Sequence, residues 1–291
     1  MSQNQNQYKE KMYRDIIYKT PIFSWFTRQE FVNPGYYNQA ILLELKNDIP
    51  HESWNTIMQV LINKYDSLRL NYNSSTNVIF INEEHLTKSQ IVQSGYIPNV
   101  RTDMLLKVIP NLVTQNFNLQ TDLLIKLYVL KTRYKSYLYI IAHHLVIDVV
   151  SLKILLEDII TLLSQIDNNQ ILVLSKTTTS YFEYAEKYTE WAKKQKIEGN
   201  HWYDYINKMS FPYAKVNLRH FTNGSVETIS SQLDINATKK LCNEVKNAYS
   251  AEVNELLLIA FAKAVFKVFS IEAAVIEIDD IGRNNLKSFT E

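Results

Sequence analysis

Cysteine, glycine and unbroken apolar sequence are all scarce in this 291-residue chain, and each scarcity closes off a class of function. A single cysteine, Cys242, rules out an internal disulfide and suits a reducing compartment. With five glycines the chain has no glycine-rich phosphate loop. The longest apolar runs, such as Leu256 to Phe261, are too short to span a bilayer, and Met1 to Glu10 is polar with no apolar signal region. Long basic runs are missing too, and the formal net charge is +1, so no nucleic-acid footprint is expected. Apart from one adjacent pair, the six histidines are scattered, and no metal site is apparent. These absences leave a cytoplasmic protein, with neither membrane nor nucleic acid as partner, as the expectation. Its 46% hydrophobic and 21% charged residues are enough to bury one large core or two moderate ones.

What the chain does have is concentrated between Ile140 and Ser151, where His143, His144 and Asp148 interrupt otherwise apolar sequence. Tyr137 to Ala142 reads as a buried strand and Leu152 to Ile160 as a largely buried helix, so the histidines sit at a strand-to-helix junction. Neighbouring side chains on a strand point to opposite faces, so at most one of the pair faces a given cavity. The other must be satisfied inside the protein. Asp148 falls in the turn or at the helix start, where a carboxylate accepts backbone N–H bonds or holds a cation, and Ser151 is a second candidate cap. From the residues alone, two hydrogen-bonded core histidines beside a capped helix explain the run more readily than a catalytic pair does.

Around this junction, Pro50 marks the start of a helix over His51 to Lys64, with Trp54, Ile57, Met58, Leu61 and Ile62 on one face. Val78 to Ile81 and Asp122 to Leu130 read as strands, and Lys131 to Lys135 as a hairpin connection. Gln165 to Gln170 is the best lobe boundary, dividing the chain into 1–168 and 169–291. Beyond it come one or two helices over Ser180 to Asn207, helices over Asn236 to Ala248 and Asn254 to Phe269, and a buried strand over Ala273 to Ile278. Such alternation argues for an α/β sandwich of two related lobes.

His-His-x-x-x-Asp between a strand and a helix resembles the signature of the condensation-domain superfamily of nonribosomal peptide synthetases, which shares the chloramphenicol acetyltransferase fold. Other segments extend the match. Thr20 to Phe26, followed by Tyr37 to Glu44, looks like the Trp-Phe and Asn-Gln-x-x-Leu-Leu opening of the epimerization branch. Tyr65 to Leu70 is similar to the family's His-Asp-x-Leu-Arg segment, with Tyr65 in place of the histidine, and Lys176 to Ala185 resembles the Lys-Thr-Thr-Ser stretch. The resemblance implies an α/β, two-lobed chloramphenicol acetyltransferase-like sandwich with the N-terminal lobe complete and the C-terminal lobe partial. It also implies a tunnel between the lobes that receives the phosphopantetheine arm of a peptidyl carrier protein, with no cofactor bound directly. Neighbouring adenylation or condensation domains would be the other partners.

By the same resemblance His144 is the general base or positioning residue, and His143 and Asp148 are structural, with Asp148 paired to Arg69. Removing a proton from an α-carbon and returning it on the opposite face benefits from two acid/base groups, one an imidazole. In the epimerization branch the other is a glutamate in Glu-Gly-His-Gly-Arg. Aligned on Gly282 and Arg283, this chain places Asp279 there, with Glu277 as a substitute on the same strand face and Arg283 to fix a carboxylate or contact the arm. Where the family has a glycine after the aspartate this chain has Val149, and Ile281 replaces the histidine. Three functions follow: epimerization, peptide-bond-forming condensation, and silent docking. Ser151 as an acyl acceptor lacks any elbow signature. Family members continue beyond the Gly-Arg segment, so an uncovered sheet edge and self-association are expected.

Overall fold

Five residues of one helix face decide where the core lies. Trp54, Ile57, Met58, Leu61 and Ile62 recur at helical spacing and all are fully buried, each contributing roughly 1.5–3 kcal/mol. In the computed structural model, which describes residues 13–16, 20–29, 31–88, 92–97, 104–105, 108–109, 116–176, 179–208, 227, 229–270, 276 and 278, this helix runs His51–Lys64. Its N-cap is Pro50, as the sequence predicts.

Chain order before and after it is β1 (Tyr13–Ile16), α1 (Pro21–Arg28), β2 (Asn38–Leu45), α2 (His51–Lys64), β3 (Leu70–Asn73), β4 (Val78–Asn82), β5 (Val92–Tyr96), β6 (Ile125–Lys131), β7 (Ser136–His143), α3 (Val149–Asp167) and α4 (Tyr181–Lys194). Two sheets form among the described residues, in the orders β1-β4-β3 and β2-β7-β6-β5. In the second, β7 lies antiparallel between β2 and β6, with Asn38 opposite His143 and Gln39 opposite Ala142. Alternation along β7 divides it. Leu138, Ile140 and Ala142 join the main core with α2 and with Leu155, Ile159 and Leu162 of α3. Tyr137, Tyr139 and Ile141 pack on the other side with Leu105 and Ile109.

Polar groups pin the helices to this core. Arg69 donates from Nη1 to the carbonyls of Ile62 and Asn63 in the last turn of α2, where orphan acceptors and the helix dipole favour a cation. Asp158 of α3 accepts from Lys64 Nζ at 2.7 Å and from the Tyr65 hydroxyl at 2.6 Å, so the tyrosine that replaces the family histidine ties α2 to α3. Asp66 accepts from the backbone N–H of Tyr181 at 2.9 Å and Phe182 at 3.4 Å, capping α4 from a distant segment. Asp66→Ala is therefore expected to cost about 1–2 kcal/mol, read as a lower urea midpoint.

Of the described residues, those up to Gln195 form one compact unit and those from Lys196 onward another. The turn after Asp167, where the sequence suggests the division at 168/169, lies inside the first unit. The second unit contains α5 (Lys196–Lys208), α6 (Ile235–Lys239), a π turn (Lys240–Val245), α7 (Lys246–Tyr249) and α8 (Val253–Phe269). Glu252 and Glu255 form a capping box that starts α8, and none of the residues of α8 is buried. The strand expected over Ala273 to Ile278 falls largely outside the described residues, and Ile278 is exposed.

Candidate functional site

The end of β7 turns sharply, and the two histidines leave it in different environments. His143 is fully buried. Its Nε2 donates to the Pro34 carbonyl at 2.7 Å, while Nδ1 accepts from the backbone N–H of Leu145 at 3.2 Å. Those two bonds require a neutral ring protonated on Nε2. The rings of Phe26, Tyr37 and Phe117 meet it edge-on. Burial holds its pKa down to about 4, the Pro34 carbonyl opposing that shift.

Gly35 makes this pocket possible. A Cβ there would strike the Phe117 carbonyl and the Asn116 side chain, and the Phe117 N–H donates to the Gly35 carbonyl at 3.1 Å. Only a glycine lets the 116–117 segment close on the turn that carries Pro34.

His144 is half-buried and differently held. Its backbone N–H donates to the Tyr37 carbonyl at 2.8 Å, and its ring stacks on that of Tyr37 at 5.0 Å and 14°. Gln39, the second residue of β2, places its amide nitrogen 2.6 Å from His144 Nε2. His144 Nδ1 and Gln39 Oε1 are shielded and have no hydrogen-bond partner. One imidazole of the pair is thus locked and neutral, and the other is oriented with a nitrogen uncommitted.

Asp148 and Arg69 do not meet. Asp148 is exposed and accepts from the Ser151 N–H at 2.6 Å, which makes it the N-cap of α3. Ser151 contributes that backbone N–H and is not itself the cap. The carboxylate beside Arg69 is Glu83, with Nε–Oε2 at 3.2 Å but off the line of a hydrogen bond. The expected Asp148–Arg69 pair is corrected by these contacts: a solvated carboxylate at a helix N-terminus needs no cation, and Arg69 is taken up by the carbonyls of α2. Val149 occupies the first turn of α3 and is 71% exposed, so its side chain projects to solvent at the position of the family glycine. Glu277, Asp279, Ile281 and Arg283 lie outside the described residues.

A second buried histidine, His85, lies away from this site in a polar knot. Its Nε2 is 2.9 Å from Asn71 Oδ1, which also accepts from Asn82 Nδ2 at 3.0 Å, and Asn71 Nδ2 donates to the carbonyls of Leu119 and Asp122. Burial, followed by the nearby Lys88 charge, lowers its pKa to about 4. Among the described residues no group of three or more histidine, cysteine or acidic side chains could hold a metal, and no helix is long and apolar enough to cross a membrane.

Sequence reasoning on its own did not assign Gln39, Tyr37, Pro34 or Gly35 to the site. The Asn-Gln pair opening β2 was the available signal, since polar residues at the start of a paired strand need partners.

The chain is 24% identical over 274 residues to gramicidin S synthase 1 of Brevibacillus brevis, covering 92% of this chain and 25% of that protein. It is 29% identical over 250 residues to bacitracin synthase 3 of Bacillus licheniformis, covering 84% and 4%. The chain therefore spans a quarter or less of the length of these relatives. Among solved structures, the epimerization domain from the third module of tyrocidine synthetase B superposes with a TM-score of 0.75 at 25% identity, covering 88% of this chain and 59% of that one. The condensation domain of the monacolin K polyketide synthase shares the fold with a TM-score of 0.60 at 11% identity, covering 89% and 60%. Such coverage fits the α/β two-lobed fold with its second lobe in part. The Condensation domain family model matches residues 13–290, and the chain belongs to the condensation-domain superfamily of nonribosomal peptide synthetases.

Proposed function

We propose that this chain epimerizes the α-carbon of an aminoacyl or peptidyl thioester held on the phosphopantetheine arm of a carrier protein. The observation that carries the reading is the asymmetry of the histidine pair. His143 is spent on structure at both ring nitrogens, whereas the half-buried ring of His144 is oriented by Tyr37 and meets only the Gln39 amide, at Nε2. Likeness to an epimerization domain over 88% of the chain supports it.

In this reading the Cα–H bond breaks, its proton passes to the His144 imidazole, and the electron pair delocalises into the thioester carbonyl. Asp279, with Glu277 as its substitute, returns a proton on the opposite face, and Arg283 holds that carboxylate or the arm. No cofactor beyond the carrier's arm is needed, and a peptidyl carrier protein with neighbouring adenylation or condensation domains supplies the substrate. Peptide-bond-forming condensation is the second reading, favoured by the family model itself and needing no second acid.

The deciding experiment loads an aminoacyl group on a carrier protein and incubates it with this chain in heavy water. Deuterium at the α-carbon is the expected result. Carrier binding without exchange, with an amide formed to a second acceptor, would instead establish condensation. Binding with neither would leave a docking domain.

Self-association belongs to the same proposal. Leu257, Phe261 and Val268 fall on one side of α8 and are each at least half exposed, an apolar face that a second copy would cover. Light scattering is expected to give a mass that rises with concentration, and a constant monomer mass would count against it.

A further inference from the structure

Among the described residues, His144 makes its ring hydrogen bond at one nitrogen only. Gln39 Nε2 lies 2.6 Å from His144 Nε2, whereas His144 Nδ1 and Gln39 Oε1 have no partner. With its nitrogen turned to the ring, the Gln39 amide is the donor, and this orientation assigns the lone pair to His144 Nε2 and the neutral ring's proton to Nδ1. A shielded N–H without an acceptor is a costly place for that proton, so nothing at Nδ1 favours this tautomer. The preference comes from Gln39. Tyr37, stacked 14° from coplanar, fixes the plane of the ring and keeps Nε2 in line with the amide.

We propose that Gln39 is the positioning residue of His144. Its amide selects the tautomer whose lone pair is on Nε2 and occupies the place in front of that lone pair until the substrate C–H displaces it. This deepens the reading of His144 as the base and rests on it for its functional meaning, but the tautomer itself is measurable without substrate.

The test is nitrogen NMR of the full chain labelled in histidine, with the His144 signals identified by their loss in His144→Ala. Wild type is expected to show, in the neutral ring, Nε2 at the unprotonated position and Nδ1 at the protonated one. Gln39→Glu replaces the donor by a carboxylate that only accepts, and is expected to reverse the two. Gln39→Met, similar in length and without a donor, is expected to lose the preference and to slow α-hydrogen exchange at least tenfold, since a wrong histidine tautomer costs up to about 10⁴ in a related setting. A wild-type ring already protonated on Nε2, or a tautomer unchanged in both Gln39 variants, overturns the proposal. If the tautomer follows Gln39 while wild type exchanges no α-hydrogen, the positioning role stands and the epimerase reading falls. If exchange depends on His144 while the tautomer ignores Gln39, the outcome is the reverse.

Discussion

His144→Ala is expected to lower α-hydrogen exchange by about 10²–10⁴-fold, the usual worth of a positioned acid/base group, with only a small change in stability. The ring makes one side-chain hydrogen bond, to Gln39, and one stack, on Tyr37. Each contributes about 0.5–1.5 kcal/mol, so unfolding should shift by roughly 1–3 kcal/mol at most. Carrier binding should persist, because α3 keeps its Asp148 cap and its core contacts without the ring. Mass spectrometry of the released aminoacyl group after incubation in heavy water measures the rate, and a urea titration measures stability. Unchanged exchange in a folded variant would remove His144 from the chemistry.

His143→Ala should do the opposite. It leaves the Pro34 carbonyl and the Leu145 N–H without their partner and opens a cavity among Phe26, Tyr37 and Phe117. Loss of about 3–5 kcal/mol is expected, visible as a melting temperature lower by roughly 10 °C. Acid sensitivity should change with it. His143 and His85 both have folded-state pKa values near 4, below the unfolded value of 6.5. As pH falls below 6.5 the unfolded chain takes up protons that the folded chain refuses. Stability is therefore full above that value and is lost progressively down to about pH 4, by about 1.4 kcal/mol per pH unit for each histidine. Between about pH 7.5 and 5.5 the wild-type protein should lose roughly 3 kcal/mol, and His143→Ala about half as much. An equal acid loss in the two proteins would show that the ring is not held neutral.

Much of the fold was legible because periodicity and burial coincide. Trp54, Ile57, Met58, Leu61 and Ile62 announce α2, the apolar run into His143 announces β7, and the histidine pair marks the junction. The strand-to-helix position of His143, His144 and Asp148 was read from local pattern, since a strand end and a helix cap are local events.

What the sequence determined by itself is therefore the local grammar: the helix faces, the strand beside the histidines, the helix start at Asp148 to Ser151 and the family to which they point. Tertiary structure decided the partners. Arg69 reaches the carbonyls of α2 and Glu83, not Asp148, because the nearest unsatisfied acceptors lie on the turn that precedes it. Gln39 meets His144 across 105 positions of chain, through the antiparallel register of β2 on β7. Gly35 matters because a segment about eighty residues away closes against it. None of these pairings follows from sequence spacing. Hydrogen bonds and close approaches between distant segments depend on how sheets pair and helices pack, and only the folded chain brings those groups within reach.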